Sequence, residues 1–255
     1  MGRVEGKVVV VTGAAGGQGA AEAAALAREG AIVVATDVHE DAPGLPADLS
    51  YRRLDVTRPE DWASLRTWLA EQHGRVDGLV NNAGIAVRER LEEIGLAAWE
   101  RVLAVNLTGP LLGIQTVLPL MGPGGSIVNV SSVAGLTAHF PVGYTASKWG
   151  LRGLSRVASL ELGPRGIRVN TIFPGYIETP MTATASPEFR AANIAATPLG
   201  RTAGPDEVAP LVVFLISNES SYVSGAEIAI DGGLSAHGGA KFLNDAVLGL
   251  TEVAG

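Results

Sequence analysis

The segment Lys7–Thr12 reads K-V-V-V-V-T, apolar without alternation. A strand with one wet face alternates apolar and polar residues. An unbroken run reads as a strand covered on both faces, inside a parallel sheet flanked by helices. Comparable short runs recur at Ala31–Asp37, Tyr51–Val56, Asp77–Asn81, Gly124–Ser131, Ile167–Ile172 and Glu227–Asp231. Between them lie segments with helical patterning: Gly17–Glu29, Arg58–His73, Leu96–Leu120, Gly143–Leu162 and Pro205–Ser217. Gly30 is placed to end the first of these, Pro59 stands in the first turn of the second, and Gly204 caps the last. Strands alternating with helices imply right-handed βαβ units. The expectation is a single-domain, doubly wound α/β fold of about seven parallel strands with helices on both faces.

Two stretches resist the pattern. Asp41–Leu49 reads as a connecting loop, whereas Thr179–Thr197, Ala/Thr-rich with Pro180 and Pro187, reads as a mobile insert at the start of a substrate loop over about 179–200. The domain is expected to span 1–235, with 236–255 as a tail whose apolar stretch Phe242–Leu250 the sheet does not need. The bulk numbers narrow the function. A net charge of −7 without a basic run disfavours nucleic acid or an anionic membrane as partner. With no cysteine, thiol catalysis, disulfides and Cys-ligated zinc are excluded. His39, His73 and His237 show no metal-ligand spacing, so no metal is expected. No uninterrupted apolar run reaches the roughly 18 residues of a membrane span, and Met1 to Glu5 lack a leader's apolar core. The reading is a soluble, cytoplasmic protein.

The first strand runs into Thr12-Gly13-Ala14-Ala15-Gly16-Gly17-Gln18-Gly19 and then a helix. Glycines there let the backbone approach a pyrophosphate held at the helix N-terminus. The absence of Gly-Lys-Ser/Thr rules out an ATP-type loop. Asp37 follows Gly19 by 18 residues at the end of the second strand, where a carboxylate can bind the adenosine ribose hydroxyls and repel a 2′-phosphate. No Arg or Lys stands at 14–18 or at 38 to neutralise such a phosphate, so NAD is the expected cofactor. Further along, Tyr144 and Lys148 lie four apart on one helix face. A nearby cation would lower the tyrosine pKa, as a general acid/base for an alcohol needs.

The ordered set Gly13 loop, Asn81-Asn82-Ala83-Gly84, Asn106, Ser131-Ser132, Tyr144/Lys148 and Pro174-Gly175 resembles the short-chain dehydrogenase/reductase family over about residues 4–235. The resemblance implies an alcohol–ketone oxidoreductase. Tyr144 would exchange the proton, Lys148 would hold the nicotinamide ribose, Ser132 would hold the substrate oxygen, and Asn106 would anchor a relay water. It further implies cofactor contacts from Gly13, Gln18, Gly19, Asp37, Asp55, Val56, Asn82, Ala83 and Gly84, besides Tyr144 and Lys148. Pro174, Gly175, Ile177 and Thr179 would fix the carboxamide. Two departures stand out: Gln18 replaces the usual aliphatic residue, and Ser132 precedes Tyr144 by 12 residues instead of 13. Ser131 has the usual spacing, but the block S-S-V-A-G aligns with its second serine in the catalytic place.

For the substrate pocket the sequence offers Leu136, His139, Phe140 and Val142 on one side, with Tyr176, Met181 and the insert on the other. An apolar cleft with one polar corner suits a bulky lipophilic alcohol or ketone. The stretch Gly125–Leu162, with Ser220–Glu227 and Asp231–Gly233, is most similar to bacterial 3α(20β)-type hydroxysteroid dehydrogenases. His139 would bond a second substrate oxygen or simply lie exposed on its loop. The alternatives are a 3-oxoacyl thioester reductase, a sugar or cyclic-alcohol dehydrogenase, or a non-catalytic NAD-binding scaffold. The resemblance also implies a homotetramer, and the apolar tail is expected at a subunit interface or near a neighbour's active site. Trp62, Trp68, Trp99 and Trp149 read as packing residues.

Overall fold

The computed structural model describes residues 2–46 and 49–250. Residues 47 and 48 of the Asp41–Leu49 loop, and 251–255 of the tail, lie outside the described residues. Seven strands among the described residues form one parallel sheet: β1 Val8–Thr12, β2 Ile32–Asp37, β3 Ser50–Arg53, β4 Gly78–Asn81, β5 Ser126–Val130, β6 Arg168–Pro174 and β7 Glu227–Ile230. Their order is β3-β2-β1-β4-β5-β6-β7. Helices α1 Gly17–Arg28, α2 Pro59–Gln72, α3 Leu96–Leu103, α4 Gly109–Val117 and α5 Val142–Leu162 alternate with the strands, followed by α6 Pro180–Ala183, α7 Pro187–Ala196, α8 Pro205–Ile216 and α9 Ala240–Val247. This is the doubly wound Rossmann fold expected from the sequence.

The unbroken valines of β1 serve both faces, as their pattern requires. Val9 and Val11 join α1 and α8 residues such as Leu26 and Val212 in one apolar cluster. Val10 joins Trp62, Leu69 and Ile114 of α2 and α4 in the other. The chain winds from β1 outward through β2 and β3, then returns to lay β4 on the other side of β1. That reversal opens a crevice at the carboxyl ends of β1 and β4, where ligands bind in such sheets.

Several details differ from the sequence reading. The third strand stops at Arg53, because Asp55 turns the chain by accepting from the Thr57 N–H at 2.9 Å and the Thr57 hydroxyl at 2.7 Å. The long helix Leu96–Leu120 is interrupted by a π-turn at Ala104–Thr108 that contains Asn106. That helix is long and apolar enough to cross a membrane, with a mean hydropathy of 1.4, although the sequence has no uninterrupted apolar run of that length. Here it packs on α2, α5 and β4 as a core helix. The Thr179–Thr197 insert is folded into α6 and α7 instead of lying open, each opened by a Thr-Pro or Ser-Pro pair that caps and starts a helix. Trp62 is buried, but Trp149 stands 45% exposed on α5 and is not a packing residue within the chain.

Candidate active site

The glycine loop between β1 and α1 is held by steric necessity. A methyl group on Gly19 would come within 2.2 Å of the Gly13 carbonyl oxygen, and one on Gly13 within 2.7 Å of Ala83 Cα. Gly16, by contrast, faces open space. It precedes α1, whose N-terminus carries no side-chain cap and no acid in its first turn. A diphosphate fits these conditions: N–H groups free to donate, a positive dipole end, and a glycine face with room beside it. Asp37 lies at the end of β2 and accepts from the Ala15 N–H through Oδ2 at 3.0 Å, tying the strand end to the loop. Its other oxygen receives a long 3.4 Å contact from the His39 N–H, with the His39 imidazole 3.8 Å away. A ribose diol fits that acceptor.

The floor of the crevice is the segment after β4. Asn82 Nδ2 donates to the carbonyls of Thr12 at 2.9 Å and Gly13 at 3.1 Å. The side chain of Asn82 therefore clamps the glycine loop from beneath, at the floor where the sequence reading places it. Asn106 likewise spends its amide on protein. It accepts from the Ile85 N–H and donates to the Ile85 carbonyl, both at 2.9 Å, and donates to Ser147 Oγ at 3.0 Å. A relay water on Asn106 would need a backbone atom of the π-turn, since that turn shifts the regular hydrogen-bond ladder.

The reactive corner lies where β5 meets α5. Ser131 and Ser132 follow the last strand residue and point apart. Ser131, buried, donates to the Lys148 carbonyl at 3.3 Å. Ser132 accepts from the Ala134 N–H at 3.2 Å and shares a hydrogen bond with the Tyr144 phenol. The alignment of the serine block thus agrees with the geometry: Ser132 is the serine beside the tyrosine. Lys148 is buried, donates to the Val130 carbonyl at 2.9 Å, and sits 5.5 Å from the centre of the Tyr144 ring.

The electrostatics correct one expectation. Burial around its hydroxyl pushes the Tyr144 phenol up, and the Ser132 hydrogen bond only partly offsets this. Lys148 does not lower it in this arrangement, because the ammonium lies against the ring and is bonded to a carbonyl. Burial also drops Lys148 itself to about 8. The pair therefore holds a protonated phenol next to an ammonium that is close to giving up its proton.

Of the remaining residues, Asp55 and Val56 stand beyond β3, where Val56 packs against Gly109 and its carbonyl receives the Trp62 indole N–H. Gly84 lies beside both Asn106 and Lys148, each within 3.6 Å of where a methyl group on it would stand. Pro174 ends β6, and a methyl on Gly175 would meet Asp231 Cα at 2.8 Å, so that glycine serves the close approach of β7. Ile177 is buried and bridges to Ala203, while its carbonyl takes the Thr182 hydroxyl at 2.7 Å. Thr179 caps α6 and comes within 3.5 Å of the place of a Gly17 methyl, joining the glycine loop to the insert. Gln18, in the first turn of α1, keeps its Oε1 buried without a partner.

The other wall is aromatic. The ring of His139 lies 5.0 Å from that of Phe140, and Phe189 of α7 stands 5.8 Å from His139, 5.5 Å from Phe140 and 6.1 Å from Tyr176. Burial holds the His139 imidazole below its usual range, and its Nδ1 is buried without a hydrogen-bond partner. His139 is thus half-buried and not a free loop histidine. Leu136 and Val142 mark the two ends of this loop, outside the ring cluster, and Met181 is partly exposed on α6. Phe189 was not legible as a site residue, although Ser186-Pro187 announced the helix that carries it. Arg88 and Arg90 were also missed: Arg90 lies 5.3 Å over the Phe140 ring, and Arg88 bonds to α6.

A family model described as enoyl-(acyl carrier protein) reductase matches residues 13–235. The chain is 45% identical over 240 residues to a 3-alpha-(or 20-beta)-hydroxysteroid dehydrogenase of Mycobacterium tuberculosis, covering 91% of this chain and 90% of that one. It is 41% identical over 250 residues to the trans-4-hydroxycyclohexanecarboxylate dehydrogenase of Sinomonas cyclohexanicum, covering 92% and 95% respectively. Among solved structures, a candidate gluconate dehydrogenase from Agrobacterium tumefaciens superposes with a TM-score of 0.85 at 33% identity, covering 91% of this chain and 97% of that one.

Proposed function

The chain belongs to the short-chain dehydrogenase/reductase family, and from that premise we propose that it interconverts a bulky lipophilic or cyclic secondary alcohol and its ketone with NAD. Oxidoreductases of this family use a nicotinamide cofactor. The observation that carries the reading is the reactive corner itself: Ser132 bonded to Tyr144, with Lys148 buried 5.5 Å from the phenol ring. A scaffold that only binds a nucleotide has no use for a phenol and an ammonium held together out of water.

The proton work follows from the geometry. In ketone reduction Tyr144, held protonated by its surroundings, gives its proton to the substrate oxygen as charge develops there. Ser132 donates a second hydrogen bond to the same oxygen, which stabilises that charge. In alcohol oxidation the same phenol receives the substrate proton after first losing its own. The nicotinamide, when bound, supplies or takes up the hydride. Asp37 supports NAD over NADP, because its carboxylate closes the ribose end and would repel a 2′-phosphate. The ring cluster of His139, Phe140, Tyr176 and Phe189 offers apolar faces to an alicyclic skeleton, and two of the named relatives are dehydrogenases of a hydroxysteroid and of a hydroxycyclohexanecarboxylate. The exposed Leu111, Trp149, Val157 and Leu160 on α4 and α5 support assembly with further copies; the proposed assembly is a tetramer and the proposed location the cytoplasm.

The test is absorbance at 340 nm with a panel of steroid and cyclic secondary alcohols, each with NAD and with NADP. Turnover with NAD and a loss of at least about 10³-fold in Tyr144→Phe, with NADH binding retained, is the expected result. Unchanged turnover in Tyr144→Phe would overturn the chemistry, and a preference for NADP would overturn the role of Asp37.

A further inference from the structure

Arg88 lies on the extended segment between the floor of the crevice and α3, in no helix or strand. Three residues before it, Ile85 is fixed at both its N–H and its carbonyl by the Asn106 side chain, so Arg88 leaves from an anchored point. Its guanidinium then crosses to the insert. One nitrogen donates to the Thr184 carbonyl and the other to the Met181 carbonyl, the latter at 3.1 Å. Helix α6 is only four residues long, far too short to persist on its own, and the carbonyls at its C-terminal end have no partners within it. Its N-terminus is closed by the Thr179–Thr182 capping box, and the Tyr176 hydroxyl donates to the Thr182 carbonyl at 3.3 Å. The Thr184 hydroxyl also donates to the Met181 carbonyl, at 3.2 Å, and Arg88 adds the donors that reach this end of α6 from the opposite side of the cleft.

We propose that Arg88 is a positioning residue for substrate: a clasp that holds α6 across the cleft and sets how tightly the alcohol is enclosed. The inference rests on the reading of this cleft as the substrate site. Thr179, at one end of α6, lies next to the glycine loop, 3.5 Å from the place of a methyl on Gly17, and Met181 stands exposed on α6 where the sequence reading puts the substrate wall. Fixing α6 therefore aligns the insert with both halves of the site. The forked guanidinium reaches two carbonyls at once, which a lysine ammonium on its single stem does not reproduce. The same segment meets a second wall, where Arg90 lies over Phe140. Arg88 itself is exposed and touches no reacting atom in this arrangement, so its effect is on capture and release.

The test compares wild type with Arg88→Ala and Arg88→Lys by two readouts. In limited proteolysis, Arg88→Ala is expected to speed cleavage within residues 180–200 about 10-fold, the scale of losing charge-assisted bonds at a partly solvated site. In steady-state kinetics it is expected to raise the alcohol KM about 10-fold with kcat within about 2-fold of wild type. Arg88→Lys is expected to fall between the two. Unchanged proteolysis and KM in Arg88→Ala would remove the clasp, as would a loss confined to kcat. Should wild type turn over no alcohol, the functional reading fails while the proteolysis still decides whether Arg88 holds α6.

Discussion

The two halves of the cleft are built by different physics. On the cofactor side the backbone itself is the device: Gly13 and Gly19 leave no room for a methyl group, and Asn82 and Thr12 lock the loop from beneath. On the substrate side the shape comes from side chains that meet across long stretches of sequence. Phe189 reaches Phe140, and Arg88 reaches Met181 and Thr184. The first half is set by sterics and therefore unforgiving. The second is set by individual contacts of modest strength, which can be exchanged for others without losing the fold. Such an arrangement lets one scaffold serve many alcohols.

The sharpest way to break this contrast is to load the glycines. Gly19→Ala forces a methyl to within 2.2 Å of the Gly13 oxygen and 2.4 Å of Asn82 Nδ2. It is expected to abolish NADH binding and to cost roughly 3 kcal/mol of stability, read by fluorescence titration and denaturant unfolding. Gly16→Ala is the control, since Gly16 has an extended backbone and open space around it. That variant should unfold within about 0.5 kcal/mol of wild type and yet bind NADH more weakly. Equal destabilisation by the two would show that crowding in the loop is not what singles out Gly19.

A second contrast concerns two buried ionisable groups, one on each side. Glu22 of α1 is fully buried, neither carboxyl oxygen has a hydrogen-bond partner, and burial pushes it up to about 8. Lys148 is pushed down to about 8. Their linkages have opposite signs. Between the unfolded carboxyl value and about 8 the folded state holds the Glu22 proton that the unfolded chain has lost, so stability falls with rising pH. Above about 8 the unfolded chain holds the Lys148 proton that the folded state has lost, so stability recovers towards the unfolded lysine value. The predicted profile has a minimum near pH 8 and a depth of a few kcal/mol. Urea unfolding from pH 5 to 10 would reveal it, and Glu22→Gln should remove the falling limb while leaving the rising one. A flat wild-type profile would mean that neither group keeps its buried form.

Asp37 sharpens the comparison from the chemical side. Asp37→Ala removes the carboxylate while sparing the glycines, and leaves His39, 3.8 Å from its Oδ1, to meet a 2′-phosphate. The ratio of kcat/KM for NAD over NADP is expected to drop about 10- to 100-fold, with alcohol KM hardly changed. An unaltered ratio would place cofactor selection elsewhere in the loop.

What the sequence made legible follows the same division. The strand runs, the Gly13 loop and Asp37 could be read because each reflects a constraint on its own residue: two-faced burial, absence of a side chain, or a charge at a strand end. Tyr144 and Lys148 could be read because helix geometry fixes residues four apart. Asn82 and Asn106 were found, but their amides proved to be spent on Thr12, Gly13, Ile85 and Ser147, partners that only the folded crossing of β1, β4 and α5 brings near. The rise of the Tyr144 pKa was hidden for the same reason, since spacing gives a neighbour and not its solvation. Phe189, Arg88 and Arg90 lay outside any periodic or family pattern, and their meaning comes wholly from contacts distant in sequence.

Phe189 offers the mildest and most telling probe of the substrate half. Its ring meets His139, Phe140 and Tyr176, yet it sits on α7, which buries no residue of its own in the core. Phe189→Ala should therefore leave the unfolding midpoint nearly unchanged and NADH affinity intact. Losing one face of the ring cluster should raise KM for a bulky alicyclic alcohol about 5- to 10-fold, in line with the ~1 kcal/mol of an aromatic pair. A small acyclic secondary alcohol, too short to span the cluster, should show little change. Equal losses for both alcohols would mean that Phe189 supports the reactive corner instead of the skeleton. The substrate half would then be as intolerant of change as the glycine loop, and the division between the two halves would not hold.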